Sequence, residues 1–195
     1  MSKLLEKDIL EYEEDTQKGK YLTFAIANEI YGIEIKYVTE IIGIQKITEI
    51  PEVPDYVKGI INLRGKIIPV MDVRLRFKKE PLEYNDRTCI IVVEIREISL
   101  GLIVDSVSEV ISIAETDIVL PPDSSTGFNN RYIKGIGKIG EDVKLLIDCD
   151  KLINDEDSEI LVNISWFQQN KWYLVIIYDK HFRQGIPALI CICQK

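Results

Sequence analysis

The sequence predicts a mainly β protein made of two small, related, strand-rich subdomains. Two gapless internal repeats and a rhythm of short strands between turn signals carry that prediction. Tyr56 to Phe77, YVKGIINLRGKIIPVMDVRLRF, aligns with Tyr132 to Ile153, YIKGIGKIGEDVKLLIDCDKLI, at an offset of 76 residues. Tyr56/Tyr132, Lys58/Lys134, Gly59/Gly135, Ile60/Ile136 and Asp72/Asp148 are identical across it. Tyr31 to Ile44, YGIEIKYVTEIIGI, aligns with Leu100 to Ile113, LGLIVDSVSEVISI, at an offset of 69 residues. There the identities are Gly32/Gly101, Val38/Val107, Glu40/Glu109, Ile42/Ile111 and Ile44/Ile113. Two copies at so long a period describe paired subdomains, because solenoid repeats are shorter and more numerous. Each unit offers about five short strands, enough for a small barrel that closes its own edges.

The elements follow in order. Residues 1–18 are a charged lead with apolar Leu4, Leu5, Ile9 and Leu10, compatible with a short amphipathic helix or a disordered segment. Tyr21 to Ala27 and Ile30 to Ile35 read as strands joined through Asn28-Glu29. Lys36 to Gly43 places Val38, Ile41 and Ile42 at helical spacing, which predicts a short helix. Pro51 and Pro54 break the chain before a central hairpin at 56–77. Pro69, inside its second arm, demotes that arm to an edge strand or a bulge. Thr88 to Ile95 and Ser99 to Val104 are two more strands, and PPDSSTGFNN at 121–130 is a loop.

The body therefore runs over 19–160, and 161–195 differs from it. The tail holds four basic residues and one acidic one, a charge of +3 against -11 for the rest. Both tryptophans, Trp166 and Trp172, and the single histidine, His181, also fall there. This segment reads either as sequence foreign to the domain or as a true extension that packs on a barrel or self-associates. WYLVIIY at 172–178 has the composition of one strand, and such a strand invites edge pairing.

Composition narrows the function. The chain has 195 residues, 46% hydrophobic and 29% charged, as a globular protein does. A net charge of -8 argues against a nucleic-acid partner, since phosphate binding needs clustered Lys and Arg. No apolar run approaches the ~18 residues that would insert into a bilayer, and the lead lacks the apolar core of a signal peptide. Cys89, Cys149, Cys191 and Cys193 show no disulfide-framework spacing and read as reduced thiols. One histidine leaves no Ser-His-Asp or Cys-His arrangement in reach, and Cys191, Cys193 and His181 fall short of a metal ligand set. Gly135-Ile-Gly137-Lys-Ile-Gly140 matches the dinucleotide fingerprint, but that motif needs a following helix, and Glu141-Asp142 would put two carboxylates where pyrophosphate sits. A nucleotide-binding enzyme using this turn is the runner-up reading; no cofactor and no metal are expected.

A binding module is favoured, and the copies show where to look. The hairpin tip Arg64-Gly65 becomes Gly140-Glu141 in the second copy, so the hairpin itself does not need the arginine. Arg64 is then either a solubilising turn residue or a rigidly presented guanidinium that grips carboxylates or carbonyls of a partner. Val38, Glu40 and Ile41 form a second candidate, a small apolar surface beside a charge; the alternative places Val38 and Ile41 in ordinary core.

NLRGKIIPVMDVR at 62–74, preceded by KGI at 58–60, resembles the signature of the chemotaxis coupling (adaptor) proteins, the CheW family. YGIEIKYVTEI at 31–41, YNDRTCIIVVEI at 84–95 and GLIVDSVSEVISI at 101–113 follow the same pattern, so the resemblance covers roughly residues 18–155. It implies two SH3-like five-stranded β-barrel subdomains around a shared hydrophobic core, with short helices. It also implies a cytoplasmic, non-enzymatic adaptor between chemoreceptor tips and the regulatory domain of the chemotaxis histidine kinase. Receptor binding in this family uses the groove between subdomains and the segment matching Val38, Glu40 and Ile41. The family's tip arginine matches Arg64 and its hairpin glycine matches Gly59. Val107 and Val110 match the repeat copy of the receptor segment. The tail at 161–195 departs from the family.

Overall fold

The computed structural model describes residues 16–96, 98–121, 131–140 and 142–153, with short strands at 174–175 and 190–191. Residues 1–15 of the lead, residue 97, the 122–130 loop, residue 141 and the chain from 154 on, those two short strands apart, lie outside the described residues. β1 (Lys20–Ile26) and β2 (Glu29–Glu34) form the expected hairpin, with Ala27 taking a positive φ of 57° between them. A 3₁₀ turn, Ile35–Tyr37, then leads into β3 (Val38–Gly43). The helix predicted over Lys36–Gly43 is therefore a strand. Val38, Thr39, Ile41 and Ile42 are β-branched, and the partner strand β6 (Cys89–Ile95) pairs with them, Val38 opposite Val93 and Ile41 opposite Ile91. Pairing overrode a weak helical period.

β4 (Val57–Leu63) and β5 (Lys66–Asp72) make the central hairpin, closed by a two-residue turn with Leu63 opposite Lys66. β5 is not an edge strand, because it also pairs in parallel with β7 (Ile98–Val104). That ladder begins at Val70 opposite Gly101, so Pro69 sits one residue before a ladder bond is needed. β8 (Ser106–Ser112), β9 (Ile118–Val119), β10 (Ile133–Ile139) and β11 (Asp142–Ile147) follow. In the tail, Leu174–Val175 pairs antiparallel with Ile190–Cys191.

Apart from that two-stranded pair, the described strands make two sheets, ordered β8-β1-β2-β11-β10-β9 and β3-β6-β7-β5-β4. The repeat offsets lay one on the other, β1 on β6, β2 on β7, β8 on β3, β11 on β5 and β10 on β4. Hydrogen bonds repeat with the strands. The Ile44 amide donates to the Thr88 carbonyl at 3.2 Å and the Ile113 amide to that of Gly19 at 2.8 Å. The Asp72 and Asp148 amides donate to the carbonyls of Tyr56 and Tyr132 at 2.7 and 2.8 Å. One expectation changes: neither barrel is a contiguous unit of the repeat. The second barrel is β3–β7, whereas the first takes β1 and β2 from the start and β8–β11 from the end. The repeated segment 31–44 thus begins in one barrel and ends in the other.

The largest apolar cluster lies between the sheets. It joins Phe24, Ile26 and Ile33 to Met71, Val93, Ile95, Leu100, Leu102, Ile147, Leu152 and Ile153, all 5% exposed or less. A buried Arg76, on the short helix Val73–Arg76, spans the same seam. Its guanidinium lies 4.3 Å from the Tyr56 ring centre and 4.9 Å from that of Tyr132, so the repeat-equivalent tyrosines clamp one cation. Each barrel also has a private cluster, and these differ. The second barrel buries Ile61, Ile68, Val70, Ile90, Val92 and Ile103. The first buries Tyr21, Ile113 and Leu146. At the positions of Ile61, Ile68, Val92 and Ile103 it carries Gly137, Lys144, Thr23 and Glu34.

Candidate functional site

The tip of the central hairpin holds Arg64 in the left-handed region at φ 51°, followed by Gly65 at φ 88°. Two consecutive positive φ values make the tight turn whose twist matches its flanking strands. Asn62 stabilises it, its Oδ1 accepting from the Gly65 amide at 2.8 Å. An arginine in this region costs about 1–2 kcal/mol that a glycine avoids, and glycine is what the other copy uses, with Gly140 at φ 61°. The strain places a charged side chain, 79% exposed, at a fixed point.

The structure brings two of the predicted residues together. Arg64 Nη2 donates to Glu40 Oε1 at 2.6 Å, bridging the hairpin tip to β3. No local sequence pattern links positions 24 residues apart, so the contact itself is visible only in the fold. An exposed pair like this adds about 0–1 kcal/mol of stability, so its weight lies in orientation. Along β3 the burial alternates: Val38 packs against the shared core, Glu40 is half-buried and Ile41 is 43% exposed. β8 repeats the arrangement on the first barrel, with Val107 against the shared core and Val110 49% exposed. Arg64 and Glu40 thus meet at the hairpin tip, Val38 and Ile41 lie beside Glu40 on the edge strand β3, and Val107 and Val110 lie on β8, the edge strand of the other barrel.

Gly59 is placed differently. It is buried at φ 132°, and a Cβ there would stand 2.1 Å from the Thr48 carbonyl oxygen. Thr48 and Ile60 exchange backbone hydrogen bonds of 2.8 and 2.9 Å, so Gly59 lets the 48–49 chain cross the hairpin. It shapes the hairpin and offers no side chain of its own. Gly135-Gly140, the dinucleotide look-alike, is β10 and its turn, paired antiparallel with β11, so no helix N-terminus faces it.

Two features carried no signal in the sequence. Exposed Val119, Leu120, Ile139 and Val143 lie on or beside β9–β11, drawn from two stretches of the chain, 119–120 and 139–143. Glu34, at the end of β2, takes Lys36 at 2.8 Å and also Lys134. Burial pushes its carboxyl up, but the hydrogen bonds from Lys134 and Lys36 outweigh this and hold it below the usual carboxylate range. Burial raises the Cys149 thiol, and both Cys89 and Cys149 are free. Among the described residues no three His, Cys, Asp or Glu side chains gather as a metal site, and no helix is long and apolar enough to cross a membrane.

Two related barrels sharing one core, with exposed edge strands and a strained, charged hairpin tip, define a duplicated β-barrel module whose distinctive chemistry is on its surface. The family model for the CheW-like domain matches residues 20–157. The Chemotaxis protein CheW of Klebsiella aerogenes is 34% identical over 151 residues, 77% of this chain and 91% of the relative. That of Treponema pallidum is 33% identical over 152 residues, 76% and 89% of the two chains. The crystal structure of the scaffolding protein TtCheW from Thermoanaerobacter tengcongensis superposes with a TM-score of 0.68 at 40% identity, covering 73% of this chain and 97% of that one. The chain belongs to the CheW-like family, and its fold is the expected pair of SH3-like barrels.

Proposed function

We propose that this chain is a non-enzymatic cytoplasmic adaptor that couples chemoreceptor tips to the regulatory domain of the chemotaxis histidine kinase. The observation that carries the reading is the Arg64–Glu40 pair, held at 2.6 Å on an exposed rim beside Ile41 where the other copy has only Gly140. A receptor tip is a helical hairpin. Ile41, Val38 and the groove behind them would accept its apolar ridge, while Arg64 and Glu40 fix register. Val107 and Val110 would extend the contact onto the first barrel. A kinase regulatory domain of similar fold would meet barrel ends, where Val119, Ile139 and Val143 offer apolar area.

Co-sedimentation of the full chain with a receptor cytoplasmic fragment and the kinase tests the reading. Wild type is expected in the pellet with both. Folded Arg64→Glu and Val38→Ala variants are expected to lose receptor while keeping kinase. If both variants sediment with receptor as wild type does, the assigned surface is wrong.

A further inference from the structure

A cleft of about 700 Å³ opens at the end of the first barrel, lined by Tyr21, Glu34, Lys36, Ile113, Ile118 and Lys134, with Gln17–Gly19 at its rim. The matching place in the second barrel, between Asp72, Tyr84, Thr88, Ile103 and Asp105, has only about 10 Å³ left. The 69-residue offset lays Thr88 on Gly19, Ile103 on Glu34 and Asp105 on Lys36, so the two places share three equivalent positions. What fills the second is the segment running into β6. There Tyr84 packs against the isoleucine cluster and its hydroxyl donates to Asp72 Oδ2 at 2.9 Å.

The segment running into β1 holds the same chain position in the first barrel, and that segment is the N-terminal lead. Its sequence repeats the filler: Leu82-Glu83-Tyr84 precedes β6 and Leu10-Glu11-Tyr12 precedes β1. Tyr84 stands six residues before Ile90, and Tyr12 nine before its equivalent Tyr21, so the lead has the length to reach the cleft. The lead is acidic, with six Asp or Glu against two Lys over residues 1–15, and the cleft sets Lys18, Lys36 and Lys134 against Glu34 and Glu115, leaving it with a small positive excess. An apolar floor of Tyr21, Ile113 and Ile118 beneath a polar rim suits a tyrosine, which has a ring to bury and a hydroxyl to satisfy.

We propose that residues 10–15 of this same chain occupy the cleft, with Tyr12 seated over Tyr21 and Ile113 as Tyr84 is seated over the isoleucines of the second barrel. The inference does not depend on the coupling function. Methyl NMR on the full isoleucine-labelled chain tests it. Cross-relaxation is expected between the Tyr12 ring and the Ile113 and Ile118 methyls. Tyr12→Ala should shift those methyls and leave Ile44 and Ile61 in place. The Ile113 amide, bonded to the Gly19 carbonyl, should exchange about tenfold faster in Tyr12→Ala as local opening becomes easier. Tyr12→Phe, which keeps the ring, should give a smaller acceleration. Ile113 and Ile118 methyls indifferent to Tyr12→Ala would overturn the proposal. So would contacts from those methyls to residues 161–195, or shifts that depend on protein concentration, which would give the cleft to the tail or to a second copy.

Discussion

The two barrels share the order of five strands, to which the first adds β9, and repeat backbone hydrogen bonds at equivalent positions, yet the second is filled with isoleucine while the first is partly polar and open. They differ again at the hairpin tips, where the second carries strained Arg64 and the first Gly140. What is common to both, the paired tyrosines, Asp72 and Asp148, and the closely packed glycines, is what the architecture requires. What is asymmetric is available for other work. Duplication provides an internal control: a residue present in one copy and absent from the other is not needed for the shared strand arrangement, though it can still fill its own barrel's core.

The comparison can be broken most severely at the glycines. Gly59→Ala drives a Cβ into the Thr48 backbone at a positive φ and is expected to cost at least about 3 kcal/mol in chemical denaturation. Gly135→Ala meets the Ile118 side chain, which can turn aside, and should cost about 1–2 kcal/mol. Equal losses would mean that the two crossings are equally tight. Next in size, Ile61→Ala opens the private core of the second barrel and should cost about 2–4 kcal/mol. The first barrel already has Gly137 at that place, so a fold that tolerates Ile61→Ala without loss would remove the distinction between full and open barrels.

A third comparison separates fold from binding. Arg64→Gly copies the tip of the other hairpin, relieving a strained φ while losing one exposed ion pair. Its stability should stay within about 0.5 kcal/mol of wild type, while receptor affinity should fall about tenfold, or 1.4 kcal/mol. Calorimetry on the receptor fragment checks both halves, and an unchanged affinity would return Arg64 to the status of a turn residue. The smallest effect concerns pH. The folded-state pKa of Glu34 lies below its ordinary value of 4.5, so its contribution is complete above that value and fades as pH falls through the folded pKa. Glu34→Gln should therefore flatten the acid side of the stability profile, visible as a smaller loss of Tm between about pH 5 and pH 3.

Much of this was legible in the sequence because repetition reads as scaffold. The Arg64-Gly65 turn, the β1–β2 hairpin and the two-barrel architecture each followed from local spacing or from matched copies. Lys36–Gly43 did not, since a helical period of three apolar residues is weak beside a strand partner 50 residues away. Pro69 misled because a proline rule about edges says nothing of a parallel ladder that starts one residue later. The Glu40–Arg64 contact and the cluster around Glu34 depend on long-range pairing, which no window of sequence contains. Gly59 was visible as a repeated glycine, but only the crossing at Thr48 explains why a side chain is forbidden there.

The interleaving of the chain has a consequence for how the protein is made. As the polypeptide leaves the ribosome, β1 and β2 emerge first, and the strands that flank them, β8 and β11, emerge last. The second barrel can complete itself from β3–β7 while synthesis continues. The first barrel must wait, its opening hairpin unpaired on both edges, until Ile147 is out. The barrel that starts the chain is thus the last to close, and a nascent chain whose β7 has emerged but whose β8 has not holds one finished barrel and one sticky hairpin.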